Sequence, residues 1–358
     1  MFDRISPMGV SIGRQAQLRS LQGDLARLTA EMASGRKSDP ARALGLGASL
    51  LYKLHDDIQA GEAIQNATSL AGKRLDVMQA ALTSVGGLMD QMSPEILKID
   101  ALKGNGFQII AQNAREVLGS MTDLLNTGWD GHSLFGGTDS AAPPLKDSAG
   151  LLAWAGEALQ AASAGAALDA EAAIGLADSF AGLFANEDRD DANSFYSLVY
   201  QSKSRTTGTG GAADESDAPS QVRIGAGETL RYNVRADNDA FKQAFEALAL
   251  LSTLDAPEAR MSEEAKTALL DRAGTLMRGA RADLTVLAGT LGGKQKRLED
   301  VAEIQARAIS AAAAQINDLE AADYYTISDR INTLQIQLQA TYSITAKLSE
   351  LSFVNYMR

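Results

Sequence analysis

The chain has 358 residues, 45% of them hydrophobic and only 5% aromatic, and this hydrophobic content excludes wholesale disorder. It has no cysteine, which excludes disulfides and thiolate metal sites, and its formal net charge of −12 leaves no broad basic face for nucleic acid. No apolar run reaches the length of a membrane span, and the N-terminus lacks the basic start and apolar core of a secretory signal, so any export follows another route.

The first predicted element is an N-terminal helix with a coiled-coil seam. Its apolar residues recur at alternating three- and four-residue steps, as in the a and d positions of a heptad: Leu18, Leu21, Leu25, Leu28 and Met32. Gly35 favours a C-terminal cap, and Pro40 disfavours helical geometry at Asp39, so a break is expected between them.

Four further helical stretches are predicted along the chain. A stripe at three- and four-residue steps runs from Ile64 to Met89, and another helix runs near Gly106 to Thr127. Helical patterning resumes at Ala240 to Leu251. It resumes again from Ser262, with heptad spacing from Leu298 to Leu319 and a shifted frame from Ile327.

The middle of the chain changes character at Gly128, where closely spaced Gly and Pro indicate turns and short strands. Ala-rich segments near residues 150–163 and 168–184 are predicted to be helical. Strand-like segments, rich in β-forming residues, are Phe195–Tyr200, Gln221–Ile224 and Thr229–Val234.

The end of the chain carries a stripe that matches the N-terminal seam, on a helix pattern without a closing cap. Its apolar residues include Leu334, Leu338, Leu348, Leu351, Phe353 and Tyr356. Burying the five side chains of the N-terminal seam contributes ~8 to 15 kcal/mol. Fixing the backbone of the roughly fifteen residues that carry them costs about 15 to 30 kcal/mol, so this seam cannot fold alone. Apolar stripes usually build an intramolecular core. Both uses are compatible here, with each chain pairing its ends and then packing against neighbours through these eleven residues.

These elements predict a mainly α fold. We expect an elongated antiparallel helical bundle or coiled coil formed by both chain ends, with an inserted mixed α/β middle domain. The predicted domains are a terminal coiled coil of residues 1–45 and 308–358, a bundle of 46–128 and 246–307, and a variable middle domain of 129–245.

No motif predicts catalysis, a cofactor or a metal site. The two histidines, His55 and His132, lie far apart. The acidic run 187–191 departs from the EF-hand pattern at the next two residues, and 289–295 lacks the first glycine and the hydroxyl of a phosphate-binding loop. We therefore expect a protein that is not an enzyme.

Four segments resemble the flagellin superfamily. Residues 28–40 are similar to that family's helix followed by a Ser-Gly-basic and acidic-Pro turn. Residues 292–298, 319–323 and 338–356 look more specifically like the terminal signature of the hook-associated proteins of the hook-filament junction (hook-associated protein 3 type). The Asn-rich start and the Asn-Ser-Ala-Asp-Asp stretch typical of flagellin itself are absent.

The resemblance implies a structural subunit of the bacterial flagellum, exported through the flagellar type III pathway with the help of an export chaperone. Such a subunit self-assembles into a ring or tubular layer between a hook-side junction protein and flagellin, outside the cell. Two alternatives stay open: a flagellin-like filament subunit, which would dominate sheared appendages, and a secreted adhesin or glycan-binding module, whose binding would survive deletion of both termini.

Overall fold

The structure is a computed structural model, and it describes most of the chain. The described residues are 7–97, 105–137, 139–163, 167–202, 220–225, 227–232, 234–255 and 261–356. The side chains of 7–11, 14, 94–97 and 348–356 lie outside that description.

The fold is mainly α, as predicted. The helices are α1 Pro7–Ser34, α2 Pro40–Leu44, α3 Ala48–Leu97, α4 Gly106–Leu125, α5 Ala149–Ser163, α6 Ala170–Ala185, α7 Phe195–Leu198, α8 Asp239–Ser252, α9 Glu263–Glu320 and α10 Tyr324–Tyr356. Within the described residues the strands form two antiparallel pairs, β1 Gly128–Trp129 with β2 His132–Ser133, and β3 Gln221–Arg223 with β4 Thr229–Arg231.

The chain divides into two compact units. The terminal unit consists of Met1–Ala63 and Gln305–Arg358, and the middle unit of Ile64–Ile304. Helices α3 and α9 contribute residues to both units. The finer division into three domains at residues 45, 128, 245 and 307 stays a proposal.

Local chemistry explains where the helices of the terminal unit begin and end. Gly35 has φ +68°, the left-handed conformation typical of the residue after a helix, and its N–H donates to the carbonyl of Glu31 at 2.9 Å. The Asp39 carboxylate accepts the N–H of Arg42, and Pro40 supplies the first residue of α2, where a missing N–H costs nothing. The predicted break between Gly35 and Pro40 is confirmed.

The core of the middle unit surrounds α8. Nearly every side chain of this helix from Ala240 to Ser252 is buried, and α8 contacts α4, α5 and α6. Phe241 meets Phe135 edge to face with ring centroids 6.3 Å apart. A helix that is buried on nearly all sides needs several partners, and these three helices supply them.

One predicted strand is wrong. Phe195 to Tyr200 contains the short helix α7, because Ser194 caps it by accepting the N–H of Ser197 at 3.0 Å. The Phe195 ring is buried 5.6 Å from Phe184, between centroids, and stacks on Tyr200 at 6.0 Å. Aromatic content favours strands on average, but here the rings fill a helical core.

A buried polar network accompanies these rings. The Tyr196 hydroxyl donates to Asp237 Oδ2 at 3.1 Å, and Arg235 Nε lies 3.4 Å from Asp237 Oδ1. Burial, reinforced by the Asp237 charge, raises the pKa of Tyr196 well above its usual value, so its hydroxyl stays a donor. This buried network therefore holds the segment of Tyr196 against the segment of Arg235 and Asp237 inside the middle unit.

Candidate assembly interface

The two ends of the chain pair as antiparallel helices. Helix α1 packs against α10, and Gln22 Nε2 donates to the Tyr342 hydroxyl at 2.8 Å. Nearer the other end of α1, a methyl group added at Gly35 would lie 2.9 Å from the Tyr324 hydroxyl oxygen. Because later residues of α1 meet earlier residues of α10, the helices run in opposite directions.

The structure places the predicted interface residues on these two helices at graded depths. Leu28 and Leu338 are buried, while Leu18, Leu21, Leu25 and Leu334 are half-buried and Met32 is exposed. The side chains of Leu348, Leu351, Phe353 and Tyr356 lie outside the described residues. Intrachain pairing thus buries only part of the seam, and its use between subunits stays a prediction.

A backbone clamp joins the turn after α1 to the turn before α10. The N–H of Lys37 donates to the carbonyl of Glu320 at 2.8 Å, and the N–H of Ala322 donates to the carbonyl of Gly35 at 3.0 Å. Arg36 Nη2 donates to Asn317 Oδ1 at 2.9 Å. These contacts hold both helical turns in register without help from a second subunit.

Glu31 ties the end of α1 to the connector. This buried carboxylate accepts the N–H of Ser38 at 3.1 Å, and Arg27 Nη1 lies 3.5 Å from the same oxygen, Oε1. A buried carboxylate needs such donors, since leaving its charge unpaired costs several kcal/mol. Glu31 therefore has a structural role in orienting the connector.

A second small core joins the parts of α3 and α9 that belong to the terminal unit. Leu51, Leu54 and Ile316 are buried together. A methyl group at Gly61 would lie 3.0 Å from Ile309 Cγ1, so the two helices approach closely there. The terminal unit consequently has its own apolar core beside the α1–α10 pair.

Helix α10 also carries a second apolar face, which the sequence analysis missed. Tyr325 is 92% exposed, Ile336 66% and Ile344 55%. At 100° per residue these side chains, with Ala340 between them, lie within about 100° of one another on the side opposite Leu338. The exposed Asp329 and Thr333 lie in the same sector, so the continuous apolar part runs from Ile336 to Ile344. In the sequence, this face could have been predicted from the spacing of eleven, four and four residues between its members. We call Tyr325, Ile336, Ala340 and Ile344 the outer face.

The first turn of α10 is capped by Asp323. Its carboxylate accepts the Thr326 hydroxyl at 2.7 Å and the N–H of Tyr325 at 3.0 Å. The Thr326 hydrogen bond holds the pKa of Asp323 below its usual value. Helix α10 therefore starts at a defined residue, which sets the orientation of its outer face.

The segment that contains these features matches a known family. Residues 275–357 match the family model of the bacterial flagellin C-terminal helical region. The chain carries a flagellin-type C-terminal helical region. This region takes in most of α9 and all of α10, including the outer face. The match supports a relationship between this chain and the flagellin superfamily. Members of that superfamily are structural proteins of an extracellular appendage, and they assemble with one another. No curated protein matches the chain.

Neither a metal cluster nor a membrane-spanning helix occurs in the part of the chain that the structure describes. Within the described ranges, no group of three His, Asp or Glu side chains is placed to hold a metal ion. His55 lies 3.7 Å from Glu320, and His132 Nδ1 lies 3.1 Å from the Ser140 hydroxyl. In the same residues, no helix is both long and apolar enough to cross a bilayer.

Proposed function

We propose that this protein is a structural subunit of the bacterial flagellum that joins hook to filament, of the hook-associated protein 3 type. The observation that carries the proposal is the two-faced helix α10, which lies in the flagellin-type region. One face packs on α1 within the chain, and the outer face has no partner among the described residues. An unpartnered apolar face on a paired helix fits a subunit that buries it on assembly.

Energetics favour a many-sided assembly over a simple dimer. Burying Tyr325, Ile336 and Ile344 contributes about 4 to 9 kcal/mol in total, which is similar to the ~4 to 15 kcal/mol lost when two molecules associate. Further apolar area is needed. The half-buried seam leucines and the C-terminal residues Leu348, Leu351, Phe353 and Tyr356 are the proposed additional contacts.

The proposed partners follow from this arrangement. Copies of the chain form a ring or tubular layer, with a hook-side junction protein on one side and flagellin on the other, after export with a flagellar chaperone. The role is structural and not enzymatic. It needs no cofactor, no nucleic acid and no membrane insertion.

A single substitution on the outer face tests the proposal. Ile336→Asp places a charge where burial would leave it unpaired, so assembly should fail, whereas Gln335→Asp adds the same charge at an exposed neighbouring position and should be tolerated. Circular dichroism, the amount of secreted chain and the number of attached filaments are measured for both variants. Normal filaments with folded Ile336→Asp would reject the outer face as an interface.

A flagellin-like filament subunit is the second candidate. It is favoured by the match itself, since the matching model describes the C-terminal region of flagellin. Abundance separates the two: a filament subunit would be the main protein of sheared appendages, and a junction subunit would be a minor one.

A further inference from the structure

A groove lined by four cationic and three anionic side chains opens on the terminal unit beside the α1–α10 pair. It has a volume of about 390 Å³ and lies between the connector after α1 and the first turns of α10. Its cationic lining residues are Arg27, Lys37, Arg42 and Arg330. We call it the arginine groove.

The carboxylates in the same lining are committed to other partners. Glu31 accepts from Ser38 and faces Arg27, Asp39 accepts the N–H of Arg42, and Asp323 accepts the N–H and hydroxyl groups at the start of α10. Each of them satisfies donors of the chain's own turns. These hydrogen bonds hold the three carboxylates in the turns of the chain itself but leave their negative charges in place, beside the four cationic side chains.

Two guanidinium groups of the groove have no partner in the described part of the chain. The side chains of Arg42 and Arg330 are exposed and make no ion pair or hydrogen bond with the described residues. Lys37 Nζ donates to the carbonyl of Leu319 at 2.8 Å, which satisfies one donor and leaves the positive charge unneutralised. A concave surface with two free guanidinium forks fits a pair of carboxylates, which arginine binds with matched planar geometry.

The same unit carries adjacent carboxylates that also lack partners. Asp56 and Asp57 on α3 are exposed, and neither makes an ion pair or hydrogen bond with the described residues. No ion pair joins them to Arg42 or Arg330 within the chain, as far as the described residues extend. A groove and a carboxylate pair on one subunit complement each other between copies. Because the two surfaces differ, the contact is heterologous and can propagate from one copy to the next.

We propose that the arginine groove of one copy binds the Asp56–Asp57 carboxylates of an adjacent copy, an inference that rests on the proposed self-assembly. The apolar outer face supplies contact area, and this charge pairing sets which part of the neighbour meets α10. Electrostatic complementarity of this kind fixes register and suppresses wrong contacts more than it adds affinity.

Charge reversal with exchange tests the pairing. Three variants replace the native chain in cells: Arg42→Glu with Arg330→Glu, Asp56→Lys with Asp57→Lys, and all four together. The matched control is Arg19→Glu with Lys73→Glu, which changes the net charge as much as the groove reversal at exposed positions outside the groove. The amount of each chain in sheared appendages is measured by immunoblot, and folding by circular dichroism.

Each reversal should lower incorporation by about tenfold or more, the four-residue exchange should restore it, and the control should match the native chain. Reversals that incorporate like the control would overturn the pairing. A groove reversal that fails and is not rescued by the exchange would point to another acidic partner, and would overturn it equally. Native chain absent from the flagellum would refute the proposed function itself.

Cross-linking keeps the test independent of any folding defect. The chain has no cysteine, so Thr333→Cys, one turn from Arg330, and Ala60→Cys, one turn from Asp56, can be co-assembled as separate chains with their charges intact. A short bis-maleimide should join them into a mixed dimer, whereas Arg19→Cys paired with Ala60→Cys should give none. Incorporated chains without the mixed dimer would overturn the proposal.

Discussion

Gly35 is the position where one added methyl group should do most damage to the terminal unit. Its φ of +68° is a conformation that L residues adopt at a cost of about 1 to 2 kcal/mol. The methyl carbon of Gly35→Ala would also lie 2.9 Å from the Tyr324 hydroxyl oxygen. Since Tyr324 is partly exposed, its ring can move aside, so the backbone conformation should account for most of the loss.

A matched glycine predicts the opposite sign. Gly23 lies inside α1, and a methyl group added there meets nothing within 4 Å. Gly23→Ala should therefore stabilise α1 by roughly 0.5 to 1 kcal/mol, because alanine loses less backbone entropy in a helix. The same chemical change is thus expected to destabilise at Gly35 and to stabilise at Gly23.

Hydrogen exchange of the full-length chain measures both effects. The opening free energy of the α1 amides near Leu28 should fall by about 1 to 2 kcal/mol in Gly35→Ala. It should rise in Gly23→Ala. Adding Tyr324→Phe to Gly35→Ala should recover only a small part of the loss, because it relieves the contact and not the backbone. Equal or greater protection in Gly35→Ala would refute the role assigned to this turn.

Two other predictions concern the middle unit and the start of α10. Leu75 is buried and Leu70 is mostly exposed on the same helix, so Leu75→Ala should cost ~2 to 5 kcal/mol of unfolding free energy and Leu70→Ala no more than about 0.5 kcal/mol. Denaturant titration compares them, and equal losses would contradict the packing described for α3. The pKa of Asp323 is lowered by folding, so its stabilisation of α10 is complete above the ordinary aspartate pKa and is lost as pH falls through the lower folded value. Exchange protection at Tyr325 and Thr326 should fall in that acidic range, and Asp323→Asn should abolish this pH dependence because asparagine does not titrate there. Protection that stays unchanged in the native chain would argue against the cap.

The helical ends were predictable because their signals agree with one another. The heptad leucines of α1, the Gly35 cap and the Pro40 start all favour the observed elements, and tertiary packing reinforces each of them. The long helix α9 was predicted as well, although it contains Gly289, Gly292 and Gly293. Each interior glycine costs about 1 kcal/mol, which a helix of 58 residues packed along its length tolerates.

Other features depend on contacts distant in sequence. The aromatic segment from Phe195 became a helix because Ser194 caps it and Phe184 packs on it, and no local propensity reports such a contact. The outer face of α10 escaped notice since polar residues separate its members. The arginine groove exists only because the connector after α1 comes beside the start of α10, some 290 residues later in the chain.

The most direct test of the junction assignment is the position of the protein on the flagellum. Electron microscopy of intact flagella, labelled with an antibody against residues 129–245, locates it without altering the chain. A junction subunit should give label confined to a short zone where the hook meets the filament. Label along the whole filament would contradict the junction role and favour a filament subunit, and flagella without label would contradict both.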